Sequence, residues 1–303
     1  MLLNDSVPGK CRALTDEITR HSPYMPTPKI SIILPVRNGR TYIERCLDSL
    51  WGQTYPNKEI IVFDGGSTDG TVEFLQGQAN KLDVFVSEPD RGNYEAMNKG
   101  VRNATGEWLY FIGADDYLCS PDALIRMVPH LARAWPGVSV VYGNVVVVNA
   151  DEQPLHRSGV PWGEAKKRFL DYMTLPHQGV FHHRTLFERH GLFNESFRMT
   201  GDYEFLLREL KSGAALYANE TVACYRIGGG SSLPGSALAV LGEMKRAQSL
   251  NGMRIPRFHW MLKWARAALR ALIWRVIGER RGRGVIDWLR RTLLREPTFW
   301  TKT

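Results

Sequence analysis

The sequence has no long uncharged apolar run, and its N-terminus has no apolar signal core. Hydrophobic residues make up 44% of the 303 residues, yet no apolar stretch of about eighteen residues is free of charge. A membrane-spanning helix is therefore not predicted. The opening stretch MLLNDSVPGKCR carries an acid and a proline where a signal peptide is apolar, so we expect no secretion signal.

Cysteine is scarce, and two common nucleotide-binding signatures are missing. The four cysteines, Cys11, Cys46, Cys119 and Cys224, are scattered and form no CxxC pair. This usage is typical of a reducing compartment and predicts neither a zinc site nor a disulfide framework. No GxGxxG follows the first apolar run and no GxxxxGK[ST] occurs, which argues against Rossmann dehydrogenases and P-loop enzymes.

Positive charge is concentrated near the C-terminus. The formal net charge is +8, but residues 254–295 contain twelve Arg or Lys against Glu279 and Asp287, a local net charge of +10. The remainder of the chain is therefore slightly acidic. The basic character belongs to the C-terminal region rather than to the part that carries the candidate chemistry.

The order of apolar runs and helical patterns predicts an α/β fold with a mostly parallel, mixed sheet flanked by helices. The first half alternates strands Lys29–Val36, Glu59–Phe63, Leu82–Val86 and Trp108–Ile112 with helices Tyr42–Trp51 (capped by Thr41), Val72–Gln76, Tyr94–Val101 and Ala123–Ala134. Beyond these the alternation breaks, with strands predicted at 138–142, 145–148, 179–182, 214–217 and 222–226 and helices at 185–190 and from Asp202. We predict a mobile lead-in at 1–28, a catalytic domain at 29–232 and a basic, Trp-rich helical region at 233–303.

Two adjacent carboxylates, Asp115 and Asp116, follow the apolar run of GEWLYFIGADDYL. The run predicts a buried strand, and ligands of an open α/β sheet bind beyond the carboxyl ends of its strands. Mg²⁺ is usually held by one or two carboxylates together with substrate phosphates. The pair therefore favours a metal–phosphate site, although capping of the helix that begins near Pro121 is an alternative.

Three more polar loops are predicted at the same edge of the sheet: Arg37-Asn38, the DGGSTDG turn that begins at Asp64, and Glu88–Asn98. One nucleoside diphosphate can contact all four loops, with Asp64 or Asp90 accepting from the base and the acid pair near the phosphates. A tight turn with a Ser or Thr helix cap explains DGGSTDG equally well when it is taken alone.

Six segments, taken together and in order, resemble family 2 glycosyltransferases of the GT-A fold. They are SIILPVRN, VFDGGSTDGT, SEPDRGNYEAMNKG, ATGEWLYFIGADD, HQGVFHHRTLFERHGLFNESF and GDYEFLLR, and they span roughly residues 29–232. The sequence is similar above all to bacterial enzymes of O-antigen, capsule and exopolysaccharide synthesis. The resemblance implies transfer of a sugar from a nucleotide sugar, usually a UDP-sugar, with inversion at the anomeric carbon and with Mg²⁺ or Mn²⁺.

The resemblance also assigns roles to individual residues. Those with donor or metal roles are Pro35, Arg37, Asn38, Asp64, Asp90, Asn98, Asp115 and Asp116. Pro35 and the following turn would line the base, Asp64 would hold uracil, and Asp90 with Asn98 would form the base and ribose wall. Asp115 would face the ribose or the metal, Asp116 would bind the metal, and Asp202 would be the catalytic base.

The sequence departs from the family pattern at three positions. Arg37 stands where an aromatic residue is common, Gly113 where many relatives have a first Asp, and Gly201 where the family has the Glu of a Glu-Asp pair. Without the resemblance, Asp202 would be read as the cap of a helix. Glu204 is the alternative base, His177 a candidate acceptor or phosphate contact, and Arg226 a candidate diphosphate contact.

The C-terminal region predicts a helix that lies on an anionic membrane surface. Apolar residues recur at helical spacing from Phe258 to Val276, cations share another face, and four Trp are interleaved. A glycan or undecaprenyl-linked acceptor at the inner face of the cytoplasmic membrane would suit such an enzyme. The alternatives are a helix packed on the domain and a nucleic-acid surface, and no nucleic-acid motif is present.

Two other functions fit parts of the pattern. A sugar-nucleotide nucleotidyltransferase shares the sheet plan, but it needs a Gly-rich basic loop after the first strand, and Arg37-Asn38-Gly39 is too short for one. A non-catalytic nucleotide-sugar-binding subunit is favoured by Gly113 and Gly201, whereas the retained Asp115, Asp116 and Asp202 favour an enzyme.

Overall fold

A computed structural model describes residues 27–227, 236–253, 258–289 and 291–292. Most of the lead-in, up to residue 26, and the predicted domain end at residue 232 lie outside these ranges. The strands are β1 (Ile30–Val36), β2 (Lys58–Asp64), β3 (Val84–Ser87), β4 (Trp108–Phe111), β5 (Tyr117–Leu118), β6 (Val140–Val148), β7 (Pro154–Ser158), β8 (Val180–His183) and β9 (Leu216–Arg226). The helices are α1 (Ile43–Trp51), α2 (Thr71–Gly77), α3 (Asn93–Asn103), α4 (Ala123–Ala134), α5 (Trp162–Phe169), α6 (Thr185–His190), α7 (Gly201–Leu210), α8 (Ala237–Leu250), α9 (Phe258–Ile277) and α10 (Glu279–Leu289).

The strands that the structure describes form one mixed sheet. Its order is β3-β2-β1-β4-β8-β6-β9-β5, with β7 paired to β6. The first four strands run parallel, β8 is antiparallel to both β4 and β6, and β6 and β9 run parallel to each other. Parallel strands end at a common edge, so the loops after β1, β2, β3 and β4 meet there, as the sequence predicts.

Side chains of β1 alternate between the two layers of the core. Ile32 and Leu34 face α1, α2 and α4, whereas Ile33 faces α3, α5, α6 and α7. This alternation is the period of two that a strand imposes. It explains why β1 is apolar at every position except Ser31, whose hydroxyl donates to Glu59, because a sheet covered by helices on both faces buries every side chain of a central strand.

The predicted bounds of helices and strands agree best with the structure where residues such as glycine mark the end of an element in the sequence. The α/β class and the mixed sheet are confirmed, and the predicted bounds of the Ala123–Ala134 and Thr185–His190 helices match α4 and α6. Gly191 ends α6 with a φ of 73°, a left-handed conformation that glycine adopts easily. The predicted cap of α1 by Thr41 is wrong, since Tyr42 precedes the helix and no side chain caps it.

The second half of the sheet differs from the prediction in three ways. The predicted strand pairs at 138–148 and 214–226 are each one strand, β6 and β9, which run through Gly143-Asn144 and Asn219-Glu220. The short strand β5 and the exposed strand β7 were not predicted. Pairing between β6 and β9 continues across two register shifts, so tertiary partners keep the chain extended through residues that favour turns.

The expectation that the cysteines form no disulfide is wrong for one pair. Cys119 and Cys224 are joined, with Cα atoms 5.4 Å apart and a sequence separation of 105 residues. The antiparallel pairing of β5 with β9 sets Tyr117 opposite Cys224 and so brings the two cysteines together. Cys46 is free and buried.

Among the described residues, three helices follow the sheet, and the prediction of a helical C-terminal region agrees with them. Helix α8 packs along α7, and α9 contacts α8 through Leu241, Trp260 and Ala267. Within the described ranges, no helix combines the length and the apolarity that crossing a bilayer requires.

Candidate active site

A cavity of about 620 Å³ opens at the edge of the sheet where the parallel strands end. Its walls are the segments after β1 and β4, the start of α3, and the segments before β8 and α7. Eight predicted site residues line it: Pro35, Arg37, Asn38, Asp90, Asp115, Asp116, His177 and Asp202. Four others do not line this cavity: Asp64, Asn98, Glu204 and Arg226.

The two carboxylates after β4 lie together in the wall of the cavity. Asp116 is 3% exposed, and its Oδ1 accepts a hydrogen bond from the Arg226 backbone N–H at 3.0 Å. Burial raises the pKa of both carboxyls, and the charge of Asp115 raises the pKa of Asp116 further. A Cβ at Gly113 would lie 2.8 Å from Asp115 Oδ1, so glycine makes room for the pair. The site concentrates negative charge that a cation would stabilise.

Asn38 connects the loop after β1 to the loop after β2. Its backbone N–H donates to Ser67 Oγ at 2.7 Å, and its Oδ1 accepts from the Thr68 N–H at 2.9 Å. Its φ of 53° is left-handed, a conformation that Asn tolerates better than most residues. The bonds fix the turn that carries Arg37 into the cavity wall.

The Asp64 carboxylate is satisfied by its own turn. It accepts from the backbone N–H groups of Gly66 and Ser67 at 2.9 Å each, and from the hydroxyls of Ser67 and Ser87. The side chain is 2% exposed and does not line the cavity. Its geometry is that of a residue that shapes the turn, and its predicted contact with uracil stays a prediction.

Asp90 presents its carboxylate to the cavity. Its Oδ1 accepts from the Gly92 N–H at 2.9 Å, and the carboxylate crowds the place that a Cβ at Gly65 would take. Burial raises the pKa of Asp90, while Lys99 and Arg37 oppose that rise. Only a glycine at position 65 allows this close approach.

Asn98 lies behind the cavity and holds two segments of the chain together. Its amide N–H donates to Phe193 O at 2.9 Å and to Glu195 Oε1 at 3.0 Å, and its Oδ1 accepts from the Phe193 N–H at 2.9 Å. The side chain is 1% exposed, so the hydrogen-bonding capacity of the amide is used within the fold.

Asp202 reaches the cavity from the first turn of α7. Thr200, not Asp202, is the N-cap residue of this helix, so the alternative reading of Asp202 as the cap is wrong. The Tyr94 hydroxyl donates to Asp202 Oδ1 at 3.2 Å, and His177 Nδ1 lies 4.0 Å from Oδ2. Burial lowers the pKa of His177, although Asp202 partly opposes this, so the imidazole is neutral at neutral pH. A carboxylate with one partnered oxygen therefore faces the cavity beside a neutral imidazole.

The two remaining candidates are engaged outside the cavity lining. Glu204 is 4% exposed and pairs with Arg208 one helical turn later. The Arg226 guanidinium donates to Ala150 O at 2.7 Å and to Glu152 Oε1 at 2.8 Å. The pairing of Glu204 within its own helix leaves Asp202 as the carboxylate at this end. The Arg226 guanidinium also lies over the ring of Tyr42, which lines the cavity, with its Cζ 5.1 Å from the ring centroid.

Comparison with known proteins identifies the family. Residues 31–193 match the family described as "Glycosyl transferase family 2". The chain belongs to glycosyl transferase family 2. A Mycobacterium bovis protein named "PGL/p-HBAD biosynthesis glycosyltransferase" is 32% identical over 274 residues, which cover 88% of this chain and 100% of that protein. An uncharacterized glycosyltransferase of Mycobacterium tuberculosis is 31% identical over 241 residues, 75% of this chain and 88% of the relative.

Solved structures show that this glycosyltransferase has the GT-A fold. Staphylococcus aureus TarS in complex with UDP-GlcNAc superposes with a TM-score of 0.55 at 18% identity, covering 88% of this chain and 86% of that one. The mannosyltransferase PcManGT from Pyrobaculum calidifontis, in complex with GDP-Man and Mn²⁺, gives 0.57 at 19% identity, with coverage of 91% and 81%. The predicted fold and the predicted transferase class are confirmed, and the nucleotidyltransferase and non-catalytic alternatives are set aside.

The glycine before Asp202 in this glycosyltransferase has a steric reason. A Cβ at Gly201 would lie 2.8 Å from two ring carbons of Tyr94, well inside contact distance. The tyrosine ring therefore occupies the space that a Glu side chain would need. The same tyrosine donates to Asp202, so the departure from the Glu-Asp pair accompanies a different support for the carboxylate.

The acid pair fits a hard divalent cation. Asp115 and Asp116 could supply two adjacent, buried carboxylate oxygens, the type of ligand that Mg²⁺ and Mn²⁺ prefer. In the described part of the chain, no group of three or more His, Cys, Asp or Glu could hold a metal. Most ligands of an ion here would therefore be water and substrate phosphate, as is common for Mg²⁺.

Sequence reasoning missed several residues that line the cavity: Tyr42, Tyr94, Gln178, Arg198, Met199 and Tyr225. Tyr94 carried a usable signal, because it lies in the same SEPDRGNYEAMNKG segment as Asp90 and Asn98. Arg198 and Met199 carried none, since their position depends on how the segment before α7 folds back over the cavity.

Proposed function

We propose that this glycosyltransferase moves a sugar, with inversion, from a nucleotide sugar such as a UDP-sugar to a hydroxyl of a glycan or lipid-linked acceptor. The observation that carries the proposal is the arrangement of one cavity, with an acid pair at the strand ends and Asp202 in the same lining. The UDP-GlcNAc complex of TarS and the GDP-Man complex of PcManGT support a nucleotide-sugar donor. Synthesis of a bacterial surface polysaccharide is the process in which we place the enzyme.

The transfer step assigns one role to each end of the cavity. The acceptor hydroxyl oxygen attacks the anomeric carbon as its proton passes to the Asp202 carboxylate, and the bond from that carbon to the phosphate oxygen breaks. The nucleoside diphosphate leaves from the opposite face of the sugar, which inverts the anomeric centre. Asp115 and Asp116 would hold a Mg²⁺ or Mn²⁺ ion, which would supply positive charge next to the leaving diphosphate.

Tyr94 and His177 give Asp202 its orientation. The Tyr94 hydroxyl donates to Oδ1, so Oδ2 remains for the acceptor proton. His177 lines the cavity with its Nδ1 4.0 Å from Oδ2, whereas its Nε2 is buried and finds no hydrogen-bond partner among the described residues. The predicted contact of His177 with an acceptor or phosphate oxygen stays a prediction.

A donor panel tests the proposal directly. Thermal shift with UDP-, GDP- and dTDP-sugars in the presence of Mn²⁺ should rank the donors, because a ligand that binds only the folded state raises the melting temperature. Slow hydrolysis of the best donor should then appear, with water as the acceptor. No shift and no hydrolysis across the panel would refute a nucleotide-sugar donor.

Substitution of Asp64 should affect mainly the stability of the fold, whereas substitution of Asp90 should affect mainly UDP binding. Asp64→Asn replaces an oxygen that accepts N–H and hydroxyl donors with an NH₂ group, so it should lower the free energy of unfolding by about 1–3 kcal/mol. Asp90→Asn should leave stability nearly unchanged and weaken UDP binding about tenfold through loss of a contact to the base. Chemical denaturation and calorimetry with UDP measure the two effects. If Asp64→Asn is stable and loses UDP, then Asp64 reads the base.

We further propose that the predicted C-terminal region, 233–303, holds the enzyme on an anionic membrane surface at the cytoplasmic face. Six large apolar side chains of α9 are between 41% and 71% exposed: Met261, Leu262, Trp264, Leu269, Leu272 and Val276. Their spacing places them on one side of the helix, opposite Trp260 and Ala267, which pack towards α8. A broad exposed apolar face is unusual on a protein that meets only water.

The charge around this face supports a lipid surface as its partner. Arg266 and Arg275 are exposed and, by helical periodicity, lie near its two edges. Cations at the edges of an apolar helical face can bind anionic headgroups while the apolar side chains enter the acyl boundary. Packing on α8 uses only the opposite strip of the helix.

Replacing Leu272 with Glu should weaken binding to anionic vesicles about tenfold or more, because burial of one leucine contributes about 1.5–3 kcal/mol. The side chain is 58% exposed, so the fold should be unaffected. Co-sedimentation with phosphatidylglycerol vesicles measures the change. Asn103→Glu, which makes the same charge change at an exposed position of α3, is the control and should bind nearly as the parent does. Failure of the parent to sediment at low salt would instead make α9 a packed appendage.

A further inference from the structure

Helix α8 contacts the segment that leads into the catalytic helix. The Glu243 carboxylate accepts hydrogen bonds from three consecutive backbone N–H groups, those of Arg198, Met199 and Thr200, each at 2.9 Å. It also accepts from the Thr200 hydroxyl at 3.3 Å. One carboxylate thus satisfies the backbone donors immediately before α7, from a helix more than forty residues further along the chain.

This contact replaces the usual local cap of α7. Thr200 is the N-cap residue, but its side chain makes no capping bond to its own helix. The negative charge of Glu243 lies instead at the amino end of α7, where unpaired N–H groups and the helix dipole favour an anion. Asp202 is the second residue of α7, so the position of its carboxylate depends on how this end is held.

The same contact shapes one wall of the cavity. Arg198 and Met199, whose backbone N–H groups bind Glu243, both line the cavity together with Asp202. Arg246 lies about one turn after Glu243 on α8. Its guanidinium donates to the backbone oxygen and the hydroxyl of Ser196 and stacks on the Phe197 ring. Helix α8 therefore holds the whole of segment 196–200, all of which lies beyond the family match at 31–193.

We propose that Glu243 is a positioning residue for catalysis, which sets the backbone before Asp202 and the wall formed by Arg198 and Met199. This rests on the proposed role of Asp202 as the base. It assigns α8 to the catalytic unit and moves the expected domain boundary from residue 232 to the end of that helix. The region that faces the membrane then begins with α9.

Glu243→Ala in the full chain tests the proposal. UDP affinity with Mn²⁺ should stay within about twofold of the parent, because the acid pair and the loops after β1 and β3 are untouched. Hydrolysis of the best donor of the panel should fall about 10- to 100-fold, the effect of displacing a catalytic group by about 1 Å. Hydrogen exchange of the amides at 198–200 should accelerate, since they lose their acceptor.

Added formate separates positioning from general loss of stability. Formate is a carboxylate small enough to occupy the three vacated N–H groups, so it should restore part of the exchange protection and part of the hydrolysis in Glu243→Ala. Glu243→Asp should retain intermediate activity. Arg246→Ala, which removes the neighbouring contact but leaves these N–H groups paired, is the matched control and should not respond to formate.

Three results would overturn the proposal: amides at 198–200 that exchange freely in the parent, hydrolysis that survives Glu243→Ala, or a parallel loss of UDP affinity and hydrolysis that formate does not reverse. Failure of the proposed function itself would be recognised separately. In that case Asp202→Asn would hydrolyse donor like the parent, or the parent would hydrolyse none, while the exchange measurement would still decide whether Glu243 holds the segment.

Discussion

Replacing Asp202 with Asn should abolish sugar transfer and leave donor binding intact. The amide keeps the shape of the side chain and an oxygen that can accept from the Tyr94 hydroxyl, but it cannot take a proton from the acceptor. Loss of a general base typically lowers the rate about 10²- to 10⁴-fold. Calorimetry with UDP and Mn²⁺, followed by donor hydrolysis, measures binding and chemistry separately.

A control substitution and the alternative base, Glu204, show whether the effect belongs to Asp202. Asp48→Asn, the same change at an exposed position of α1, is the control and should behave as the parent. If Asp202→Asn turns over normally and Glu204→Gln does not, the base is Glu204. That outcome would require the Glu204–Arg208 pair to open, because in the structure both carboxylate oxygens of Glu204 bind Arg208.

Asp116→Asn should remove the metal-dependent part of donor binding and stabilise the metal-free protein. Loss of groups that merely support a metal ligand costs about 10- to 100-fold in affinity, so loss of a direct ligand should cost about 100-fold or more. The amide Oδ1 can still accept from the Arg226 N–H, so the loop should keep its shape. Removing one of two adjacent buried carboxylates relieves desolvation and repulsion, which should raise the melting temperature without metal.

Calorimetry with UDP, with Mn²⁺ and then with EDTA, checks the first effect, and a thermal melt in EDTA checks the second. The parent and Asp116→Asn should bind UDP equally in EDTA, which serves as the internal control. Unchanged UDP affinity in Mn²⁺ would place the ion elsewhere. A lower melting temperature in EDTA would mean that the carboxylate charge contributes to folding.

The first four strands were predictable because each is a short apolar run with its own boundary signals. The predicted strands Lys29–Val36 and Glu59–Phe63 differ from β1 and β2 by no more than one residue at either end, because a strand covered on both faces is largely apolar. The exposed strand β7, PLHRS, offers no such signal and was missed. Its extended conformation comes from pairing with β6.

The candidate site divides in the same way. The position of Asp115 and Asp116 at a strand end could be read from the sequence, and so could the place of Asp202 near the start of a helix. The hydrogen bonding of the Asp64 carboxylate within the fold could not be predicted, because one of its donors is the Ser87 hydroxyl. The pairing of β2 with β3 brings that hydroxyl from another strand. Nothing in the sequence indicated that the Tyr94 ring fills the space at Gly201 where a Glu side chain would lie.

The sequence by itself determined the alternation of strands and helices, the family, and the residues that bring charge to the strand ends, because these depend on local periodicity and on short motifs. The tertiary structure alone decided which charges face the cavity. Asp90 and Asp202 do, whereas Glu204 and Arg226 turn to partners elsewhere. It also decided that Cys119 meets Cys224 and that Glu243 supports the segment before Asp202. These contacts join residues tens of positions apart, and only the packing of whole elements brings them within hydrogen-bonding or bonding distance.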